Sequence, residues 1–274
     1  MNTSQSERQP APSASSQPLL ALKGISKRFG PVEALKDVDF QLHRGEVVGV
    51  VGDNGAGKST LIKAIAGVQP PDEGEAAFEG RPVRLSSPQD AAALGIATVY
   101  QDLSLCENLD VVANLFLGQE SVDGAPGVNI LDETAMEQKS MELLGSLGVT
   151  TLRSVRTEVA SLSGGQRQAV AIARSLLGEP NVVLLDEPTA ALGIVQTRQI
   201  IELIGRLRDR GLGVVVISHN LTDVFQVADR VAVLRLGRMA ASFDIGTATE
   251  EEVVAAITGA EFGSAERVTE ETPL

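Results

Sequence analysis

The sequence predicts an α/β fold with a mostly parallel sheet, an antiparallel β part and an inserted helical subdomain. Apolar β-branched runs alternate with helical segments along the chain, which is the pattern of a parallel sheet covered by helices. Residues 38–42 and 231–243 instead carry the alternation and the hairpin signal of antiparallel strands. From about residue 103 to residue 159, runs typical of buried strands are few, which indicates helices.

Composition limits the classes of protein to consider. The 274 residues are 43% hydrophobic, enough for one large domain or a domain with an inserted subdomain. The single cysteine, Cys106, excludes an internal disulfide framework and fits a reducing compartment. The formal net charge of -13 and the pI of about 4.7 disfavour nucleic-acid binding, although a local basic patch would escape this count.

No segment is predicted to cross a membrane. A spanning helix needs roughly 20 consecutive apolar residues, and the first eighteen residues also lack the apolar core of a secretory signal. We therefore expect a protein that neither spans a membrane nor is exported.

The structured domain is predicted over residues 19–260, with the helical subdomain at about 103–175. Residues 1–18 are rich in Ser, Gln and Pro and predict a disordered tail. Residues 261–274 are acidic and lack periodicity, which predicts a second solvated end.

The first predicted elements run strand, loop and helix. Residues 38–42 alternate between apolar and polar like a half-buried strand, and the valine-rich residues 47–51 are typical of a buried one. A Gly-rich loop follows at residues 52–57, and residues 58–66 form a helix that Gly67 ends. This order is the one that a phosphate site requires.

The remaining elements continue the alternation. Capping residues open helices at Ser87-Pro88 and at Asp132-Glu133, with a short strand at 96–100 between them. The later predictions are a helix at 165–177, a strand at 182–185, a helix at 195–208, a strand at 214–217, a hairpin about Gly237, and a last helix with a capping box of Thr249 and Glu252.

The Gly-rich loop carries the first functional signal. It fits the pattern Gly, four residues, Gly-Lys-Ser, in which backbone N–H groups and a helix N-terminus converge on phosphate oxygens; its residues are Gly52, Asp53, Asn54, Gly55, Ala56, Gly57, Lys58 and Ser59. We expect Lys58 to bridge the β- and γ-phosphates and Ser59 to ligate Mg²⁺, with Thr60 the less favoured ligand. The alternative is a Gly-rich turn with a surface lysine.

Two adjacent carboxylates end a fully apolar strand. Neighbouring side chains of a strand point to opposite sides, so Asp186 and Glu187 can do different work. We expect Asp186 to hold Mg²⁺ through water, and Glu187 to act as general base on the attacking water. Two solvated carboxylates in a turn before Pro188 are the alternative.

A second Gly-rich helix start lies at Ser163-Gly164-Gly165-Gln166. Its hydroxyl and backbone amides offer a second anion cradle, which the nucleotide of the same chain does not need. Taken alone, the motif is also compatible with a simple helix cap.

Together, the three motifs resemble those of ABC-transporter ATPases, and the resemblance covers nearly all of residues 19–260. In that family the Ser163 motif of one subunit closes over ATP held on the P-loop of the other. The resemblance implies that Gln101 senses Mg²⁺ and the γ-phosphate, that His219 contacts the γ-phosphate and orients Glu187, and that Phe29 stacks on adenine. A surface glutamine, a structural histidine and an edge aromatic are the respective alternatives, and His43 receives no role.

One position departs from the family. After Ala190-Ala191-Leu192 the family usually has Asp, and this chain has Gly193. The same run, with residues 53–55, 99–103 and 114–118, resembles the ATPases of bacterial monosaccharide importers for ribose, xylose and fructose.

Because the chain holds one set of motifs, the resemblance implies a homodimer. It further implies integral-membrane permease subunits, a sugar-binding protein outside the cell, and a peripheral position on the cytoplasmic face of the bacterial membrane.

The segment 103–118, just past Gln101, is expected to dock a short cytoplasmic helix of the permease. The apolar residues proposed for that groove, for which core packing is the alternative, are Leu103, Leu105, Leu109, Val112 and Leu115. Cys106 is interpreted as a packing residue, and no metal beyond nucleotide-bound Mg²⁺ is expected.

Three rival functions share the motifs. One is a soluble ABC ATPase of DNA repair or translation, although the chain lacks coiled coils, a second ATPase domain and basic arms. A second is an importer subunit for a solute other than sugar. The third, suggested only by Gly193, is an ATP-binding regulatory subunit without useful hydrolysis.

Overall fold

The computed structural model describes residues 17–123 and 130–260. Of the predicted terminal tails, only Gln17 and Pro18 lie inside the described residues. The strands are β1 Leu20–Phe29, β2 Val32–Leu42, β3 Val47–Val51, β4 Glu73–Phe78, β5 Arg81–Val83, β6 Ile96–Val99, β7 Val122–Asp123, β8 Ile130–Leu131, β9 Val182–Asp186, β10 Gly213–Ile217, β11 Arg230–Arg235 and β12 Arg238–Asp244. The helices are α1 Lys58–Ile65, α2 Pro88–Ala93, α3 Val111–Phe116, α4 Glu133–Ser146, α5 Gly164–Leu176, α6 Ile194–Asp209, α7 Leu221–Val227 and α8 Glu250–Thr258, with a 3₁₀ turn at Val159–Ser161.

The central sheet has six strands in the order β12-β11-β3-β10-β9-β6. Its neighbouring strands are parallel except for β11 and β12, which form the predicted hairpin. In this register Ile217 pairs with Val50 on one side and with Asp186 on the other, and Val99 pairs with Leu185. The carboxyl ends of β3, β10, β9 and β6 therefore lie along one edge of the sheet.

Helices cover both faces of this sheet, which explains why its strands are apolar throughout. Val47 and Val51 belong to one hydrophobic cluster, and Val48 and Val50 belong to another. Since side chains alternate between the faces of a strand, the two clusters are the two sides of the sheet. All five residues of β3 are buried, as the valine-rich run predicts.

A second, antiparallel sheet has the strand order β2-β1-β4-β5. Its β2 strand lies against the central domain, because the Lys36 amide donates to the Gly237 carbonyl at 2.7 Å. A mostly parallel sheet with an antiparallel part is confirmed, and the predicted fold class is correct.

Most predicted elements begin and end within a residue or two of the observed ones. The strand expected at 96–100 ends at Val99, and the helix expected to begin at residue 165 begins at Gly164. The predicted cap at Ser87 and the capping box of Thr249 with Glu252 are both present.

The segment 103–159 contains less helix than predicted. Among its described residues it holds α3 and α4, long irregular stretches, and a two-stranded ladder of β7 with β8 that the sequence did not indicate. The fully buried Asn114 side chain explains part of this, since it bonds the backbone of Cys106, Leu109 and Asp110. Side-chain bonds of this kind fix an irregular chain without any periodic pattern.

Within residues 17–123 and 130–260, no helix has the length and apolar character needed to cross a bilayer.

Candidate functional site

The predicted site residues gather at the carboxyl edge of the central sheet. The Gly-rich loop follows β3, Gln101 follows β6, Asp186 and Glu187 end β9, and His219 follows β10. These strands are neighbours and run parallel, so their ends meet at one edge, where open α/β sheets bind ligands. The fold thus brings together groups that are separated by more than a hundred residues.

The Gly-rich loop requires glycine at two positions for lack of space. A Cβ on Gly52, whose φ is 148°, would lie 2.1 Å from the Leu234 carbonyl oxygen. A Cβ on Gly57, whose φ is 110°, would lie 2.7 Å from the Ala34 carbonyl oxygen. Both neighbours are backbone and cannot move aside, so the loop closes tightly only without side chains there.

Lys58 lies inside this loop. Its residue is buried, and its Nζ donates to the carbonyls of Gly52 at 2.7 Å and Asp53 at 3.0 Å. Lys58 also begins α1, whose N-cap Gly57 offers no side chain to the first amides. An ammonium group and uncapped helix amides at one place form a cradle for an anion.

Asp186 is a partly buried carboxyl at the same edge. Burial raises the pKa of Asp186 above its ordinary value, the adjacent Glu187 adds to this, and Lys63 and Lys58 partly oppose it. The physical cause is that two carboxylates share a poorly solvated place, which favours the arrival of a cation.

The fit to Mg²⁺ follows from this donor set. No group of three or more His, Cys, Asp or Glu within the described residues could hold a metal by itself. A magnesium ion beside Asp186 would therefore need other oxygen ligands, such as the Ser59 hydroxyl, water and phosphate oxygens, as is usual for nucleotide sites. The side chains fit a metal that arrives with a phosphate.

Glu187 and His219 are in direct contact. The Glu187 carboxylate accepts a hydrogen bond from His219 Nδ1 at 2.7 Å, with Glu187 mostly buried and His219 exposed. Glu187 adopts a left-handed φ of 52°, which its amide supports by donating to the Ile217 carbonyl at 3.0 Å. A non-glycine residue in this region is strained, and such strain concentrates at functional sites.

Gln101 lies two residues beyond Val99, and its side chain is exposed. Because β6 pairs with β9, Gln101 follows the strand next to Asp186. Burial raises the pKa of the preceding Tyr100, the nearby negative charge of Asp186 adds to this, and a hydrogen bond with Thr98 opposes it. The arrangement is compatible with a polar group that reaches the metal side of the site.

The second Gly-rich motif is separate from the first. Ser163 caps α5, since its hydroxyl accepts from the Gln166 amide at 3.3 Å. The Gln166 side chain accepts from the Ser163 amide through Oε1 and donates to the Thr151 carbonyl through Nε2. Gly165 packs on the start of α6, since a Cβ there would lie 2.9 Å from Gln196, and Gly164 lies against Leu192, just before that helix. In the described part of the chain, none of these side-chain bonds reaches the loop of residues 52–60.

Phe29 and His43 take different positions. Phe29 ends β1 and is 44% exposed, with Lys27 Nζ 5.7 Å from the centre of its ring. It pairs with Val32 at the tip of the hairpin whose Ala34 carbonyl lies close to Gly57, so the hairpin tip lies beside the Gly-rich loop. His43 instead contacts the buried Glu46 before β3, at the opposite end of that strand.

A cavity of about 420 Å³ lies beside the site, between the segment after β6 and helix α5. Leu103 lines it, as expected of a groove past Gln101. Val112 and Leu115 do not, because both are buried in the core, and for these two the expectation was wrong. Their helical spacing marks an inward face, which sequence alone does not separate from a groove.

Leu117 lines the cavity and lies within the segment predicted to dock the permease. Gln119 and Arg174 also line it, and neither lies in that segment. An arginine on an amphipathic helix has the pattern of a solvated residue, so no local signal distinguishes Arg174.

Comparison with known proteins relates the chain to one family. A family model described as ABC transporter matches residues 35–190. The chain is 46% identical to the fructose import ATP-binding protein FrcA of Rhizobium meliloti, covering 89% of this chain and 95% of that protein. It is 45% identical to the xylose/arabinose import ATP-binding protein XylG of Sulfolobus acidocaldarius, covering 81% of this chain and 86% of that protein.

Solved structures give the same relation. The ADP conformation of an ATP-binding cassette of an ABC transporter superposes with a TM-score of 0.75 at 27% identity, covering 89% of this chain and 96% of that one. A bacterial ABC transporter cassette described as dimeric superposes with a TM-score of 0.68 at 26% identity, covering 82% of this chain and 98% of that one.

Proposed function

The chain belongs to the ABC transporter family of ATP-binding proteins, and from this premise we propose that it binds and hydrolyses ATP to power a bacterial importer for a monosaccharide. Support for the sugar comes from the relatives, which are named for fructose and for xylose/arabinose import and match over most of their length. The observation that carries the ATPase proposal is the 2.7 Å contact of Glu187 with His219 at the sheet edge that also holds Lys58.

In this proposal, the Gly-rich loop and α1 bind the triphosphate of ATP. The residues that take part are Gly52, Asp53, Asn54, Gly55, Ala56, Gly57, Lys58, Ser59 and Thr60. Lys58 exchanges its two loop carbonyls for phosphate oxygens, which is favourable because hydrogen bonds between charged partners are the stronger kind. Phe29 supplies the ring for adenine.

Asp186, Ser59 and Gln101 are the residues proposed to hold Mg²⁺. A bound Mg²⁺ would screen the negative charge of the phosphates and would stabilise the ionised carboxylate of Asp186, which burial disfavours. The raised pKa of Asp186 supports this assignment, since a metal-free carboxylate there is poorly stabilised.

Glu187 is the proposed general base. It is mostly buried, and His219 Nδ1 fixes the orientation of its carboxylate. With one carboxylate oxygen bound to His219, the other is available to accept a proton from the attacking water. His219 is exposed enough to contact the γ-phosphate as well.

A second copy of the chain is proposed to complete the site. Ser163, Gly164, Gly165 and Gln166 make no side-chain bonds to the Gly-rich loop of their own chain in its described part, yet they form a helix start suited to an anion. One of the similar solved structures is a dimeric cassette, which supports the proposal that these four residues bind the ATP held by a second subunit. ATP would then close two subunits on each other, and hydrolysis would release them.

The importer would include membrane permease subunits, with this chain on the cytoplasmic face of the membrane and a sugar-binding protein outside. The cavity between α5 and the segment after β6 is the proposed docking place for the permease. It adjoins Gln101, so a docked segment would contact the region that responds to nucleotide.

The test is Mg²⁺-dependent ATP hydrolysis by the purified chain, with and without its co-purified permease. We expect hydrolysis that the permease stimulates, and Lys58→Ala should remove ATP binding through loss of a charge-assisted contact. A soluble ATPase would co-purify with no membrane subunit, and a regulatory subunit would bind ATP without turnover. Wild-type ATP affinity in Lys58→Ala would refute the phosphate site.

A further inference from the structure

Arg174, on helix α5, holds the segment that follows Gln101. One of its guanidinium nitrogens donates to the Leu103 carbonyl and the other to the Ser104 carbonyl, both at 2.8 Å. We propose that Arg174 is a positioning residue that joins the 101–104 segment and helix α5 into one body, so that Gln101 and Ser163 shift together. The inference rests on the proposed function and assigns a further residue to it.

Stability alone gives little reason for an arginine at this place. Arg174 is partly buried, and burial lowers its pKa. It takes part in none of the ion pairs found among residues 17–123 and 130–260. A partly buried cation without a counter-charge is a poor stabiliser compared with an apolar side chain, whereas the planar guanidinium fork can bind two adjacent carbonyls.

The segment needs such an anchor because it has no ladder of its own. Ser104 adopts a left-handed φ of 49°, and its amide donates to the Asp102 carboxylate at 3.1 Å. Beyond the segment, the buried Asn114 of α3 fixes the chain by bonding the backbone of Cys106. Arg174 is the corresponding anchor of residues 101–104, and within residues 17–123 and 130–260 it is the only residue of α5 that forms hydrogen bonds with them.

Helix α5 connects this anchor to the second Gly-rich motif. Arg174 lies eleven positions after Ser163, which corresponds to about 16 Å along an α-helix. A helix of this length moves as a rigid unit, and packed rigid elements carry coupling between distant sites. Any displacement of the segment after Gln101 is therefore passed to Ser163 through Arg174.

The same contact lies in the wall of the cavity. Leu103, Ser104 and Arg174 all line it. A permease segment docked there would contact both the 101–104 segment and helix α5. Its binding would therefore shift Gln101 and Ser163 together.

The only cysteine of the chain reports on this segment. Cys106 is partly buried and lies two residues after Ser104, whose carbonyl accepts from Arg174. The substitution Arg174→Lys keeps the positive charge but replaces the fixed guanidinium fork with a shorter side chain that ends in one ammonium group. A change in thiol labelling would therefore reflect loosening of the segment and not loss of charge. The matched control is Arg206→Lys, since Arg206 of α6 also donates to a carbonyl, that of Leu147, far from the segment.

We expect Arg174→Lys to speed maleimide labelling of Cys106 on the order of tenfold, the factor for one lost charge-assisted hydrogen bond, and Arg206→Lys to leave it unchanged. ATP hydrolysis should then need more Mg²⁺ for half-maximal rate, because Gln101 is displaced, while ATP affinity without Mg²⁺ stays at the wild-type value. Wild-type labelling in Arg174→Lys, equal acceleration in Arg206→Lys, or a slower rate at unchanged Mg²⁺ dependence would each overturn the proposal.

Two arms keep the test decisive. Labelling needs no nucleotide, so a wild-type chain that hydrolyses no ATP would defeat the proposed function separately from the Arg174 contact. If Arg174→Lys does not fold, Arg174→Gln takes its place, and hydrogen exchange of residues 101–106 without nucleotide replaces thiol labelling. Exchange as slow as in the wild type would refute the anchor.

Discussion

The substitution Glu187→Gln separates chemistry from binding. The amide has nearly the same shape as the carboxylate, and its oxygen can still accept from His219 Nδ1, now at 2.7 Å from Oε2. What it loses is basicity. General-base catalysis contributes about 10²–10⁴-fold, so we expect the hydrolysis rate to fall by about that factor, or about 3–5 kcal/mol in the barrier.

The same change should disturb the fold far less. A hydrogen bond to a charged group contributes about 1.5–3 kcal/mol and a neutral one about 1 kcal/mol, so the lost charge accounts for about 1 kcal/mol. Against this, Glu187 raises the pKa of Asp186, and its neutralisation lets Asp186 ionise more readily. We therefore expect Mg-ATP binding to be kept, and the ATP-bound protein to persist as a closed dimer.

The assay compares single-turnover hydrolysis, ATP affinity and thermal unfolding of the variant with those of the wild type. Asp223→Asn is the matched control, because its carboxylate accepts from Thr189 Oγ1 at 2.7 Å close to the site but has no proposed role in hydrolysis. A rate within twofold of wild type in Glu187→Gln would refute the assigned base. Equal losses in both variants would show that the effect is structural.

Three further predictions concern the loop, the metal side of the site and the irregular segment. Gly52→Ala should abolish ATP binding and destabilise the fold, since its Cβ would lie 2.1 Å from the Leu234 carbonyl oxygen; isothermal titration checks this, and Gly205→Ala in α6, away from the loop and with nothing within 4 Å of its Cβ, is the control. Because the folded chain holds the Asp186 proton more tightly than the unfolded chain, stability from this group is present at low pH and is lost as pH rises through the raised pKa. Metal-free Asp186→Asn should thus melt at a higher temperature than wild type at pH 7, and the difference should vanish on acidification toward the ordinary range of Asp. Asn114→Ala should lower the free energy of unfolding by about 2 kcal/mol in urea titrations, because it leaves the Cys106 amide without its acceptor and removes one of the two hydrogen bonds that the Cys106 and Leu109 carbonyls each accept; a loss below about 1 kcal/mol would contradict this.

The sequence by itself determined the α/β class and most of the elements. Fully apolar runs rich in β-branched residues, such as Val47–Val51, are typical of strands covered on both faces, and both faces of this strand are covered. Capping residues such as Ser87 and Thr249 bond amides within three residues, so the start of a helix is encoded locally. The Gly-rich loop is also encoded locally, because all of its residues are consecutive in the sequence.

Only the tertiary structure decided which distant residues meet. The contact of Glu187 with His219 depends on the pairing of β9 with β10, and no spacing along the chain encodes it. Val112 and Leu115 were assigned to a groove but lie in the core, and Arg174 has the pattern of a surface residue but binds the carbonyls of another segment. In each case the position of the side chain depends on non-local packing. The periodicity of apolar residues along a helix indicates that one face is covered, but it does not indicate which part of the chain covers that face.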